Sequence, residues 1–203
     1  MCPSATHAIT RILHEEHDRH RAVLQAMRQL VRSVAGGARP PGCKVFRAML
    51  LYIVDYPEKL HHPNEERLFA LLQLRTESVN DEIAQLRDQH IRGEAMVRAL
   101  EHKLTQYELD RAAGFPTFAQ AAEEYIRFSF DHMRLEEQTV LPAAECCLTE
   151  QDWAAVDLSF AANRGAPGGS ADKQSFDNLF SLIVNTTPAN RGGAEELKPS
   201  LRQ

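Results

Sequence analysis

The stretch VNDEIAQLRDQHIRGEAMVRALEHKLTQY, residues 79–107, decides the fold class. Val79, Ile83, Leu86, His90, Gly93, Val97, Leu100, Leu104 and Tyr107 recur at alternating steps of four and three, the period of a helix with one buried stripe. Charged residues fill the positions between. A long helix with a single apolar seam needs partners to cover that seam.

Three other segments carry matching seams. On the first, from about Thr6 to Val34, the inward stripe is Leu13, His17, His20, Leu24, Met27, Val31 and Val34, and the opposite face, His14 included, is polar and reads as solvated. It ends before Gly36-Gly37 and Pro40-Pro41-Gly42. The second, from about Lys44 to Leu74, presents Leu50, Val54, Pro57, His61, Glu65, Leu68 and Leu72; Pro57 and Pro63 predict a kink, with two shorter helices as the alternative. The third runs from about Ser78 to Leu109. The fourth, from about Thr117 to Cys147, presents Phe118, Ala122, Tyr125, Ser129, His132, Glu136, Thr139 and Ala143. Strand signals are few and the connections short, so the expectation is an all-α fold, an antiparallel up-down four-helix bundle over residues 6–148. A short C-terminal helical appendage, 149–185, would dock on it. That appendage would open with Thr149 as N-cap and Asp152 three residues on, pass through a Gly/Pro/Ser linker, and end in an amphipathic turn or two at 175–184. Residues 186–203 read as a disordered tail.

The net charge of −5 gives no electrostatic reason to expect nucleic acid or an anionic membrane. MCPSATHAITR lacks an apolar leader core, and no run approaches the ~20 apolar residues that span a bilayer, so a cytoplasmic location is expected. Cys2, Cys43, Cys146 and Cys147 form no C-x-x-C pair and read as free thiols in a reducing compartment.

The seams hold six groups that do not belong in an apolar core: His17, His61, Glu65, His90, His132 and Glu136. A lone histidine precedes a His-x-x-x-Glu pair twice, His17 before His61/Glu65 by 44 residues and His90 before His132/Glu136 by 42. Burying two uncompensated carboxylates costs several kcal/mol each, and no lysine or arginine shares these seams. A metal site accounts for them. Imidazole and carboxylate suit iron, manganese or zinc, and the set is too large for one tetrahedral zinc. With both carboxylates bridging and an added oxo or hydroxo group, two six-coordinate ions would keep open positions. The bundle design built on two Glu-x-x-His motifs is matched only by Glu58-x-x-His61, and HEEH at 14–17 has its histidines three apart where the zinc-protease helix needs four.

LHEEHDRH (13–20), YPEKLHHPNEERLF (56–69), LRDQHIRGEA (86–95) and DHMRLEEQTVLP (131–142) resemble the successive ligand-bearing helices of the hemerythrin HHE cation-binding family, over about residues 8–165. The resemblance implies the same six ligands and an oxo- or hydroxo-bridged pair of iron ions, with zinc or manganese as substitutes. Relatives commonly place one more residue before Leu68-Phe69, which leaves His62/Glu66 as an alternative register; His61/Glu65 is preferred because His62 and Glu66 continue the polar line of Asp55 and Lys59. His20 is a supporting or substitute group; Glu137 and Tyr125 are within reach of hydrogen-bonding ligands, but surface carboxylate and core aromatic are the preferred readings. The implied function is binding or sensing of a small diatomic molecule, dioxygen or nitric oxide, without turnover. The alternatives are redox or iron handling (nitric oxide or peroxide detoxification, repair of iron centres) and a metal-independent helical interaction module. Repair members carry added cysteine-bearing N-terminal segments, and with only Cys2 before the first helix, binding is the expectation here. No nucleic-acid or membrane partner is expected, and the sequence names no protein partner.

Overall fold

A computed structural model describes residues 6–40, 42–57, 61–165 and 169–186, and every regular element among them is helical. In chain order these are α1 (Ala8–Ala35), α2 (Cys43–Tyr56), α3 (His62–Gln73), α4 (Asn80–Asp110), a 3-10 turn (Arg111–Ala113), α5 (Phe115–Leu135), a π-helical turn (Glu136–Val140), α6 (Leu141–Cys147), α7 (Glu150–Gly165) and α8 (Gly169–Thr186). Among the described residues no helix is long and apolar enough to cross a membrane.

α1 stops where Gly36 and Gly37 donate their amides to the carbonyls of Arg32 and Val34, and Gly37 sits at φ 90°, a conformation costly for any side chain. α4 packs along α5, α1 against α5 and α2, and α2 against α4. α7 packs on α3, and α8 on α2 and α1.

The apolar core is two clusters. One is built around Val23, Met27, Phe46, Tyr52, Val97, Phe118 and Tyr125, the other around Leu13, Leu68, Phe69, Ile83, Leu86, Val140 and Trp153. Along α1, Leu13 belongs to the second cluster and Val23 to the first, with buried His17 between them. Along α4 the same change happens between Leu86 and Val97, across His90. The polar residues thus form a layer dividing the core, held in place by apolar packing on both sides.

The structure departs from the sequence reading in several places. The second segment is two helices, α2 ending at Tyr56 and α3 opening at His62, and Pro57 and His61 between them are π-helical. Pro63 falls in the first turn of α3, where its missing N–H costs nothing, so it starts a helix and does not kink one. Glu58 and Lys59 lie outside the described residues. The fourth segment is interrupted by the π turn, which inserts one residue. After it the seam advances by one: Thr139 and Ala143 are half-buried, whereas Val140 and Ala144 are fully buried.

The C-terminal helix is longer than the turn or two expected at 175–184, because α8 spans 18 residues and buries Phe176 and Ile183. Of the expected tail only Thr186, the end of α8, is described. The capping box at α7 forms as read: the Thr149 amide and hydroxyl donate to Asp152 at 2.9 and 2.7 Å, and the Asp152 amide donates to Thr149 Oγ1 at 3.2 Å. Cys43 and Cys147 are free, but Cys146 is disulfide-bonded. Local spacing says nothing about cysteines paired across a fold, so the argument from four free thiols to a reducing compartment lapses.

Candidate metal centre

His17 comes from α1, His61 and Glu65 from the α2–α3 break and the first turn of α3, His90 from α4, His132 from the end of α5, and Glu136 from the start of the π turn. Their donor atoms form two groups, each with all atoms within 4.8 Å of one another: His17, His61, Glu65 and Glu136, and His62, Glu65, His90 and His132. All six residues read from the seams are brought together. His62 is a seventh, and His61 and His62 fall in different groups. Consecutive residues at the start of a helix lie about 100° apart, so they face different ways.

Glu65 stands between the groups. Its Oε1 lies 2.5 Å from His61 Nε2 and 3.6 Å from His17 Nε2, and its Oε2 lies 3.2 Å from His90 Nε2. Glu136 Oε2 approaches His17 Nε2 at 3.3 Å and belongs to the first group only, so Glu65 is the carboxylate shared by both groups. Glu65 and Glu136 are wholly buried, yet all four of their carboxylate oxygens, with Nε2 of His17 and of His90, have no hydrogen-bond partner. Protein interiors do not leave so many polar atoms unsatisfied without a reason.

The opposite nitrogens are held. His17 Nδ1 lies 2.8 Å from Glu137 Oε1, His61 Nδ1 2.7 Å from Glu16 Oε2, and His132 Nδ1 2.9 Å from Gln89 Oε1. With an acceptor at Nδ1, each ring carries its proton there and turns the Nε2 lone pair inward, the usual arrangement behind metal-ligating imidazoles. Glu137, read as a surface carboxylate, is in fact pinned between His17 and Arg21 Nη2, at 2.5 Å. Glu16 and Gln89 were missed altogether. Each is the sequence neighbour of a seam histidine, and adjacency on the polar flank is the one signal that could have found them.

In the metal-free site burial opposes charge on His17, but Glu136, Glu137 and Glu65 outweigh it and hold its pKa well above the ordinary value. Burial likewise opposes charge on His61, yet Glu65 and Glu16 raise it to about 10. Burial and Glu65 raise Glu136 to about 7, whereas burial holds His132 well below the ordinary histidine value. Protons therefore occupy the first group where a cation would neutralise the carboxylates instead.

The hemerythrin HHE cation binding domain matches residues 8–144. The chain belongs to the hemerythrin HHE family. The match takes in every residue of both donor groups and ends short of the 165 expected, leaving α7 and α8 beyond it. No curated protein and no solved structure matches the chain. For a family defined by cation binding, the donor groups mark this hemerythrin HHE domain as metal-binding. The neutral imidazoles and buried carboxylates also fit a pair of hard-to-borderline ions.

Beside the donor groups lies a cavity of about 50 Å³, lined by His17, His61, His90 and His132 and walled by Phe128, Met133 and His20. His20 belongs to neither donor group.

Proposed function

We propose that this hemerythrin HHE domain holds two iron ions and binds or senses a small diatomic molecule, dioxygen or nitric oxide, in the adjacent cavity. His17, His61 and Glu136 would hold one ion and His62, His90 and His132 the other, with Glu65 between them. The single observation that carries the reading is the convergence of buried, unpartnered donor atoms, two imidazole nitrogens and four carboxylate oxygens, in one layer of the core. When bound, iron supplies exchangeable coordination positions and reversible redox chemistry. The chain's own residues hold the imidazole tautomers through Glu137, Glu16 and Gln89, and surround the site with apolar packing that limits access to small molecules. The cavity of about 50 Å³ has room beside the donor groups for a molecule of two or three heavy atoms.

The same reading treats α1, α2 with α3, α4, and α5 with α6 as the members of an antiparallel up-down bundle over 6–148, with 149–185 as an appendage. Protein from iron-replete expression should contain about two irons per chain, show a ligand-to-metal charge-transfer band, and change spectrum reversibly with dioxygen or nitric oxide. His61→Ala should lose iron and band together. Absence of bound metal in the wild type overturns the reading, and catalytic consumption of either gas would move it to redox chemistry.

A further inference from the structure

His20 is the polar group the metal reading leaves unused. It lies one turn after His17 on an inward stripe otherwise filled by Leu13, Leu24 and Met27. Its Nδ1 is shut off from solvent and has no hydrogen-bond partner. It contributes to neither donor group, yet its ring lines the cavity that those imidazoles border. Leaving a buried polar atom unpaired costs about 1–3 kcal/mol, which an apolar side chain at the same place would avoid. Elsewhere on the wall, Pro57, Gly93, Phe128 and Met133 have no side-chain donor and the Ser129 hydroxyl is spent on the Tyr125 carbonyl at 3.0 Å, which leaves the Tyr125 hydroxyl and the Gln89 amide as the donors besides the imidazoles.

We infer that His20 is the ligand-selecting residue of this cavity, an imidazole N–H that hydrogen-bonds a small molecule with anionic or partly anionic character and discriminates against apolar occupants of the same size. The inference rests on the proposed ligand-binding role and adds the chemical class that the cavity favours. A hydrogen bond from a buried imidazole stabilises charge on the occupant, so azide and dioxygen should profit more than carbon monoxide.

The test uses the full-length iron-loaded protein and azide as the probe, comparing wild type with His20→Leu and His20→Gln. Azide affinity, followed through the charge-transfer band, should fall roughly ten- to a hundredfold in His20→Leu and recover most of the way in His20→Gln, which keeps an N–H donor. The azide asymmetric stretch in the infrared should shift in His20→Leu alone. Iron content should be the same in all three. Iron lost from His20→Leu and His20→Gln alike would make His20 a metal ligand and overturn the inference. Equal azide affinity and equal stretching frequency in wild type and His20→Leu would overturn it while leaving the ligand-binding role intact. A wild type that holds iron but binds neither azide nor dioxygen would overturn both.

Discussion

At the residue scale, His17, His61 and His132 each depend on what grips the far nitrogen. Glu137 makes the strongest case, because its carboxylate reaches both His17 Nδ1 and Arg21 Nη2 and its pKa falls to about 2: burial opposes this, and His17 and Arg21 outweigh burial. Glu137→Gln keeps the shape and an acceptor but loses the charge, and metal affinity should drop roughly tenfold or more with the fold intact, as measured by chelator competition and circular dichroism. The sign of its pH effect follows from the depressed pKa. Its stabilising contribution is present above the ordinary carboxylate value and disappears as pH falls through about 2. His61 runs the other way: its pKa near 10 in the metal-free protein gives a contribution complete below the unfolded value of about 6.5 and lost as pH rises through about 10. A cation must displace protons from His61 and His17, so at neutral pH metal loading should release about two protons, and apparent affinity should climb with pH between 6 and 9. Calorimetric titration in buffers of different ionisation enthalpy counts them, and release of no proton would contradict the protonated apo site.

At the element scale, the π turn at Glu136–Val140 matters most. It lets α5 deliver His132 and Glu136 to the site and lets α6 bury Val140, Leu141 and Ala144 in register with the second core cluster. An uninterrupted helix would satisfy one set or the other. Deleting exposed Gln138 should therefore cost about 2–5 kcal/mol through misdirected core side chains, and lower the melting temperature even in metal-free protein. A loss of metal with unchanged apo stability would place the constraint at the site alone. This element also marks where reading the sequence stops. The seams on α1, α4 and α5 were legible because a helix repeats its environment every three or four residues, and Leu13, His17, Leu86, Leu100, Phe118 and Glu136 are buried where the period puts them. Periodicity cannot report an inserted residue, so Thr139 and Ala143 were placed one position early. Nor can it show that His61 and His62 fall into different donor groups, since one continuous stripe holds only one of them.

At the scale of the whole molecule, the helix beyond the family match bears on the metal site. Phe176 of α8 meets Tyr56 and Tyr52 edge-on at 5.5 and 6.1 Å, and those two tyrosines stack at 5.2 Å. Burial, and after it the nearby Glu16 carboxylate, hold the Tyr56 hydroxyl well above its ordinary range, and Glu16 accepts from His61 Nδ1. Two contacts on neighbouring residues dock α8 here, and their magnitudes differ. The Arg19–Asp177 pair at 2.5 Å joins side chains 41% and 37% exposed, worth about 0–1 kcal/mol, whereas truncating a buried phenylalanine costs about 3–5 kcal/mol. Phe176→Ala should accordingly lower the melting temperature by several degrees, and Asp177→Ala should scarcely move it. Loosening the cover over Tyr56 should also loosen the surroundings of Glu16, its neighbour, and through Glu16 the orientation of His61. Phe176→Ala should release iron to a chelator several-fold faster than wild type, and Asp177→Ala should release it at the wild-type rate. Phe176→Ala that melts early but keeps its iron as tightly as wild type would confine α8 to a stabilising role, with no line of contact reaching from the appendage to the metal.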